Sequence, residues 1–332
     1  MSTNQAPAPV EFPDRSGRLM VAGVFEIVLG CFCLLLAAMM GGLLAAQGHL
    51  QGPPFHGQSL LALLLSVVIY LLAAVVFVFV GIGLARARRW AWAMTVAWSW
   101  VWLVLGAVAV VFICLMGQGI WTATAEKGKL TPQVASAMWI TSTVVFAGLY
   151  VGVPGLLLAL CHHKSVRATC ERRDAKTRWT DRCPLPVLAL SLVFAISFLS
   201  MFSMAAHRWT FPLFGSYVSG ATGAALAVLI AVVLAYLAWG TYRLQPAAWW
   251  CALVLYVIGT ANMVVMFAAM DLSEMYKKMG MPADQIELMQ KAGVLDFLSR
   301  WGPWLGVAGG IVWLGYLLFV RRYFFRGKVP AP

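Results

Sequence analysis

The segment that decides the fold is residues 60–89, LLALLLSVVIYLLAAVVFVFVGIGLARARR. It carries no charged side chain before Arg86, and it then closes on three arginines within four residues. A helix needs about 20 apolar residues to cross the ~30 Å hydrocarbon core of a bilayer, and cationic residues flank such helices at the membrane surface. Residues 60–85 are therefore predicted to form a membrane-spanning helix that ends at the arginines.

The rest of the chain repeats this pattern. Of its 332 residues, 62% are hydrophobic and 11% are charged, whereas globular domains average about 45–50% and about 25%. A soluble protein of this composition could not cover its surface with polar groups. Eight apolar runs are long enough to span a bilayer, and they are expected to be helices because lipid cannot satisfy free backbone polar groups. The predicted spans are 19–46, 60–85, 90–116, 135–160, 185–206, 217–242, 247–270 and 304–320.

The two halves of the chain share a pattern between their second and third spans. The first half has GIGLARARRWAWAM and the second has WGTYRLQPAAWWCAL. Each contains glycine, arginine, a very tight turn and paired tryptophans, so that Arg86 corresponds to Arg243. The sequence predicts an all-α membrane protein of two four-helix repeats in the same orientation, since each repeat has an even number of spans. The predicted divisions are a disordered cytoplasmic tail (1–18), the repeats (19–161 and 185–326), a basic cytoplasmic loop (162–184) and a cytoplasmic tail (327–332).

The charges predict the orientation of the spans. Most of the 24 Lys and Arg residues fall on the side of the N-terminus, which predicts a plasma-membrane protein with both termini in the cytoplasm. This arrangement accounts for the net charge of +12 without nucleic acid. The expected partner is the lipid bilayer, with anionic headgroups at the 162–184 loop. A protein partner or a second copy of the chain stays open.

The segment before the last span, 282–299, has a roughly amphipathic spacing. It is predicted to form a short interfacial helix. The alternative is an extension of the eighth span, broken at Gly302 and Pro303. Gly302, Gly306 and Gly310 have the small-xxx-small spacing that permits close helix contact, and Pro154 is expected to kink the fourth span.

Few polar side chains lie within the predicted spans. Glu26 is the only acidic one, and a charge at mid-membrane costs on the order of 2.5–3.5 kcal/mol. Its expected ion-pair partners are Arg86 and Arg243, and a structural role is favoured over a proton or cation site. The candidates for a substrate path are Glu26, Asn262, Trp98, Trp102, Ser197 and Ser200. For each of these, helix packing is the favoured alternative.

Cys161, His162 and His163, with Cys170 and Cys183 downstream, have metal-ligand side chains. The spacings of common zinc sites, C-x(2–4)-C and H-x(3–5)-H, are not present, and seven basic residues surround the group. Neither a metal nor a cofactor is predicted. The phosphate-binding loop and the hydrolase and zinc-protease motifs are also absent from the sequence.

Three functions stay open, and a non-catalytic scaffold, accessory or sensor protein is favoured because intramembrane polar residues are scarce. A small-solute transporter or channel would use Glu26 and Asn262. A lipid-acting enzyme would need His49, His56 or His207 in a groove open to lipid. The position of Glu26, in a water-accessible cavity or in a dry helix contact, separates the first two hypotheses.

Overall fold

The structure, a computed structural model, describes residues 13–46, 60–128 and 131–325. Within these ranges, eight helices are long and apolar enough to cross a membrane. This confirms the predicted number of spans and makes the chain a helical, polytopic membrane protein. The predicted tail at 1–18 lies mostly outside the described residues, and the first helix begins at Ser16.

The first four spans begin and end close to the predicted positions, except for the third. The helices are α1 (Ser16–Ala46), α2 (Leu60–Ala85), α3 (Arg89–Lys127), α4 (Pro132–Ala147) and α5 (Val153–Cys161). A π-helical turn, Gly148–Gly152, joins α4 to α5 so that the two form one span. The third helix continues past its predicted end at Met116 to Lys127.

The second half contains both short and spanning elements. They are α6 (Lys164–Arg173), a 3₁₀ turn (Trp179–Arg182), α7 (Leu185–Met201), a second 3₁₀ turn (Phe202–His207), β1 (Phe211–Leu213), β2 (Ser216–Val218), α8 (Gly220–Tyr242), α9 (Pro246–Ala269), α10 (Leu272–Lys278), α11 (Ala283–Lys291) and α12 (Val294–Phe325). The segment predicted as a basic loop therefore contains a helix and a 3₁₀ turn.

The β-hairpin departs from the predicted all-α fold. Phe211 pairs with Val218 in an antiparallel register, and Phe214 and Gly215 turn the chain with positive φ angles of 44° and 85°. Two successive positive φ angles match the twist of short hairpins. The sixth span consequently begins at Gly220, after the hairpin, and not at residue 217 as predicted.

The segment of residues 282–299, before the last span, combines the two predicted alternatives, a separate short helix and an extension of the eighth span. Its first part forms a separate short helix, α11, which ends where Gly293 takes a φ of +71°. Its second part belongs to α12, which passes through Gly302 and Pro303 without a break. A proline removes one backbone hydrogen bond, a loss that membrane helices tolerate where neighbouring groups compensate.

Glycines set the closest helix contacts. A methyl group on Gly23 of α1 would lie 2.6 Å from the carbonyl oxygen of Gly81 on α2, so the two backbones touch directly. In the second half, Gly302 and Gly310 of α12 lie against Phe267 and Thr260 of α9. The small-xxx-small spacing in α12 therefore marks a real helix contact.

The connections gather at two faces of the bundle. The N-terminal face holds the start of α1, the α2–α3 and α8–α9 turns and the segment 162–184, which we call the basic segment. Arg173 pairs there with Asp14 at 3.0 Å, and the Tyr242 hydroxyl donates to the Trp179 carbonyl at 3.0 Å. The opposite face holds the hairpin, α10 and α11. Two buried apolar clusters adjoin the N-terminal face and a third, smaller one lies at the opposite face.

The turns after α2 and α8 have the same hydrogen-bond pattern. In each, one residue has positive φ, +52° at Ala87 and +56° at Leu244. Its N–H bonds the carbonyl three residues back, and the next N–H bonds the carbonyl five residues back, as in the Schellman motif. The bonds are Ala87 to Leu84 (2.8 Å), Arg88 to Gly83 (2.9 Å), Leu244 to Thr241 (2.9 Å) and Gln245 to Gly240 (2.9 Å).

A tryptophan follows each of these turns at the same distance. Trp92 Nε1 donates to the carbonyl of Cys161, at the end of the fourth span, over 2.9 Å. Trp249 Nε1 donates to the carbonyl of Leu317, near the end of the eighth span, also over 2.9 Å. The two halves therefore place this tryptophan at the same position, five residues after Ala87 and five residues after Leu244.

The π-helical turn lies directly before Pro154. Because proline has no N–H, Tyr150 O receives no hydrogen bond from residue 154. Gly106 of α3 packs against this carbonyl, and a methyl group there would overlap Tyr150 O and lie 2.8 Å from its carbonyl carbon. A methyl group on Gly148, in the same turn, would instead meet open space, with no packing atom of the described residues within 4 Å. The glycine on α3 is therefore required by a close backbone approach.

Candidate functional site

Glu26 lies in a buried contact between α1 and α3. Its side chain is 3% exposed, and Thr95 Oγ1 of α3 donates to its Oε1 over 2.7 Å. Ser99, one helical turn further along α3, is fully buried. Within the described part of the chain, Glu26 Oε2 and Ser99 Oγ have no hydrogen-bond partner. The carboxyl group is thus held by one neutral hydroxyl.

The arginines expected to pair with Glu26 lie elsewhere. Arg86 is exposed at the end of α2. Arg243 lies over the Trp239 ring, with 4.6 Å between its guanidinium carbon and the ring centre. No ion pair joins either of them to Glu26 in residues 13–46, 60–128 and 131–325. The structure places Thr95 where an arginine was expected.

Asn262 anchors the β-hairpin to α9. Its Oδ1 accepts a hydrogen bond from the Phe214 N–H over 2.7 Å, and its Nδ2 donates to the Pro212 carbonyl over 3.1 Å. Both polar atoms of the amide are therefore engaged by backbone groups. Asn262 joins a helix to a turn, and it does not join two helices as the sequence indicated.

The other path candidates make no hydrogen bond to Glu26 or to Asn262 within the described residues. Trp102 packs near Phe77 and Tyr150, with ring centres 6.0 and 6.5 Å apart, and Trp98 is half-buried. The Ser200 hydroxyl donates to the carbonyl of Ser197 over 2.8 Å. A hydroxyl bonded to its own helix contributes little to a polar path.

An acidic residue, Asp174, organises the basic segment. It is 3% exposed, and Arg178 binds it with Nε and Nη2 over 3.0 and 2.8 Å. The N–H of Arg89 donates to the same carboxylate over 3.3 Å, and Arg88 Nη1 lies 3.5 Å away. The hydrogen bonds from Arg178 hold the pKa of Asp174 below its usual value despite its burial. Asp174 therefore stays ionised and ties the segment to the start of α3.

Two further carboxylates extend this network. Arg89 Nη2 lies 3.6 Å from Glu171 and its Nη1 lies 3.7 Å from Asp181, and Arg167 pairs with Glu171 at 2.8 Å. The basic segment is therefore an ordered, ion-paired cap over the N-terminal face. Its positive charges are only partly available to external ligands.

The cysteines and histidines of the basic segment do not form a metal site. His163 caps α6, since its Nδ1 accepts the N–H of Ser165 over 3.2 Å. In the described residues, no group of three His, Cys, Asp or Glu side chains is placed to hold a metal ion. Burial raises the pKa of the Cys170 and Cys183 thiols to about 12, so both stay protonated and weakly nucleophilic at neutral pH.

Of the three histidines considered for a lipid-acting enzyme, the structure describes His207. His207 ends the 3₁₀ turn after α7. His49 and His56 lie outside the described residues. The structure therefore gives no geometry for a catalytic group on the opposite face.

A groove opens at the N-terminal face between the basic segment, α7 and α8. Its volume is about 600 Å³. It is lined by Trp179, Arg182, Leu188, Ser191, Leu192, Ala238, Trp239, Tyr242, Arg243 and Leu244. We call it the arginine groove, because Arg182 and Arg243 are its charged residues. Arg243 was predicted to be the counterpart of Arg86 and a partner for Glu26, and its place in a groove was not predicted. Trp179 and Trp239, three and four residues before the two arginines, were the available signal.

The fold and these contacts define a helical membrane protein with a closed polar contact inside the bundle and an ion-paired cap outside it. No protein-family model, curated protein or solved structure matches the chain.

Proposed function

We propose that the protein is a non-catalytic membrane scaffold or sensor that acts through helix packing and bound partners. The observation that carries this proposal is the buried contact of Glu26 with Thr95. A solute path requires ionisable or amide groups that reach water or substrate. Glu26 is buried, and Asn262 has both of its polar atoms engaged by the hairpin.

Glu26→Gln is expected to preserve the fold and to leave the apparent melting temperature unchanged or slightly higher. The amide oxygen can accept the same hydrogen bond from Thr95, and an ionised carboxylate without a nearby cation is costly to bury. Thr95→Val is the contrasting variant. It removes the only donor to Glu26 and should cost about 1–3 kcal/mol, measured by thermal unfolding in detergent.

The scaffold and transporter hypotheses predict different transport results. Under the scaffold proposal, proteoliposomes of the wild-type protein and of Glu26→Gln are expected to show the same proton permeability. A pH-dependent uptake that the wild type shows and Glu26→Gln loses would make Glu26 a proton or cation site. The scaffold proposal would then be wrong.

We also propose that the two halves are internal repeats in the same orientation. Support comes from the matching turns at Ala87 and Leu244 and from the matching bonds of Trp92 and Trp249. The pairing of spans adds to this, because α1 packs on α2 and α3 on α4 and α5, while α7 packs on α8 and α9 on α12.

The N-terminal face is proposed to be cytoplasmic, in the plasma membrane, because most lysines and arginines lie there. A protease site inserted after Gly280 should be cleaved in intact cells, since that residue follows α10 on the opposite face. A site inserted after Lys176, in the basic segment, should be protected until the cells are lysed. Cleavage of the Lys176 site alone in intact cells would reverse the proposed orientation.

A further inference from the structure

The arginine groove combines two charged groups with an apolar floor. Leu188 and Leu192 of α7 and Ala238 of α8 form the floor, and these residues belong to two spanning helices. The charged rim lies where α8 ends and where the basic segment leads into α7. A groove placed in this way meets the headgroup layer at its rim and the hydrocarbon at its floor.

The two rim arginines have no acidic partner. Within the described ranges, no carboxylate oxygen lies within 4 Å of a side-chain nitrogen of Arg182 or Arg243. Asp181, the neighbour of Arg182, instead accepts the N–H of Arg178 over 2.8 Å and lies 3.7 Å from Arg89. Among the described residues, the two guanidinium groups are therefore without a counter-anion.

Aromatic side chains hold the rim in place. The Trp239 ring supports the face of the Arg243 guanidinium at 4.6 Å, which leaves the N–H groups at its edge free for bidentate binding of phosphate. The Tyr242 hydroxyl donates to the Trp179 carbonyl over 3.0 Å and thus ties the end of α8 to the basic segment. Trp179 and Trp239 are 46% and 57% exposed, as is typical of tryptophans at a membrane interface.

We propose that the arginine groove binds an anionic phospholipid, with Arg182 and Arg243 on the phosphate headgroup and the start of an acyl chain along Leu192 and Ala238. The charge of the rim selects an anionic headgroup, and the apolar floor selects a lipid over a water-soluble phosphate. A volume of about 600 Å³ is in the range of small-ligand sites. The groove lies at a membrane interface in either orientation of the chain, because its apolar part belongs to two spanning helices.

The experiment compares lipid binding by native mass spectrometry of the full chain released from detergent. Phosphatidylglycerol and phosphatidylcholine with the same acyl chains serve as the two probes. The wild type is expected to prefer phosphatidylglycerol. Each of Arg182→Gln and Arg243→Gln should weaken its binding roughly fivefold, and the double variant should weaken it roughly 25-fold, at about 1 kcal/mol per basic residue.

Arg86→Gln is the matched control. Arg86 occupies the position before the positive-φ residue of the first turn, as Arg243 does in the second, but it does not line the groove. This variant loses the same charge and should keep the wild-type preference. An equal loss in Arg86→Gln, or an unchanged preference in the double variant, would overturn the proposal.

A second variant tests the apolar part of the site. Leu192→Trp keeps both arginines and fills the groove, so it should also lose phosphatidylglycerol while its melting temperature stays near that of the wild type. Inorganic phosphate is the probe for a headgroup-only site. If inorganic phosphate binds as tightly as phosphatidylglycerol, or if Leu192→Trp binds phosphatidylglycerol as the wild type does, the apolar part of the groove contributes nothing and the proposal is wrong.

Discussion

Replacing Gly106 with alanine is expected to destabilise the protein by about 3 kcal/mol, the upper part of the usual range for overpacking. The new methyl group would overlap the carbonyl oxygen of Tyr150, which is backbone and cannot rotate away. The helix propensity of alanine would offset only about 1 kcal/mol of this cost. Thermal unfolding in detergent should show a clear fall in the melting temperature.

Gly148→Ala is the control for this prediction. Gly148 lies in the same π-helical turn as Tyr150. A methyl group on Gly148 would meet open space, so alanine should be neutral or slightly stabilising there. Pro154→Ala restores an N–H that can bond Tyr150 O, and combined with Gly106→Ala it should recover part of the loss. Equal effects of Gly106→Ala and Gly148→Ala would mean that the close approach does not determine stability.

Asp174→Asn is expected to cost about 2–3 kcal/mol, because a carboxylate that accepts charge-assisted hydrogen bonds becomes a neutral amide. The variant loses the two-pronged bond from Arg178 and leaves Arg88 without its partner. Glu171→Gln is the matched control. Glu171 is 39% exposed, so its ion pairs should contribute less than about 1 kcal/mol.

The effect of Asp174 should depend on pH in a defined direction. Its pKa is lowered in the folded protein, so its stabilising contribution is complete above the unfolded value of about 3.9. The contribution is lost as the pH falls through the lower, folded pKa. The difference in melting temperature between the wild type and Asp174→Asn should stay constant from neutral pH down to about pH 5 and disappear in stronger acid. A difference that grows on acidification would contradict the assignment.

The positions of the eight spans could be predicted because their signal is local. Uninterrupted apolar runs and flanking arginines specify where a helix crosses the bilayer. The twin turns were also visible, since glycine, arginine and tryptophan recur in the same order. The hairpin at residues 211–218 was not predicted, because its two strands are only three residues long and most of it lies in the connection between two predicted spans.

The partners of the polar residues could not be predicted, because the spans are apolar on all sides. Such a helix gives no sequence signal for which face turns inward. Glu26 and Thr95 are 69 residues apart in sequence, and Asn262 and Phe214 are 48 apart. Glu171, Asp174 and Asp181 are visible in the sequence of the basic segment. Their role in the ion-paired cap was not predicted, because only the lysines and arginines of the segment were counted.

The length of α3 has a mechanical consequence. Its 39 residues extend about 58 Å at 1.5 Å per residue, nearly twice the ~30 Å hydrocarbon thickness. One end is fixed to Asp174 through Arg88 and Arg89, while Gly119 near the other end abuts the Ala292 carbonyl after α11. A rigid helix of that length joins the two faces geometrically: a tilt of about 5° about one end would displace the other end by roughly 5 Å at that length. The contacts of Asp174 on one face and of Ala292 on the other therefore bear on the same continuous helix.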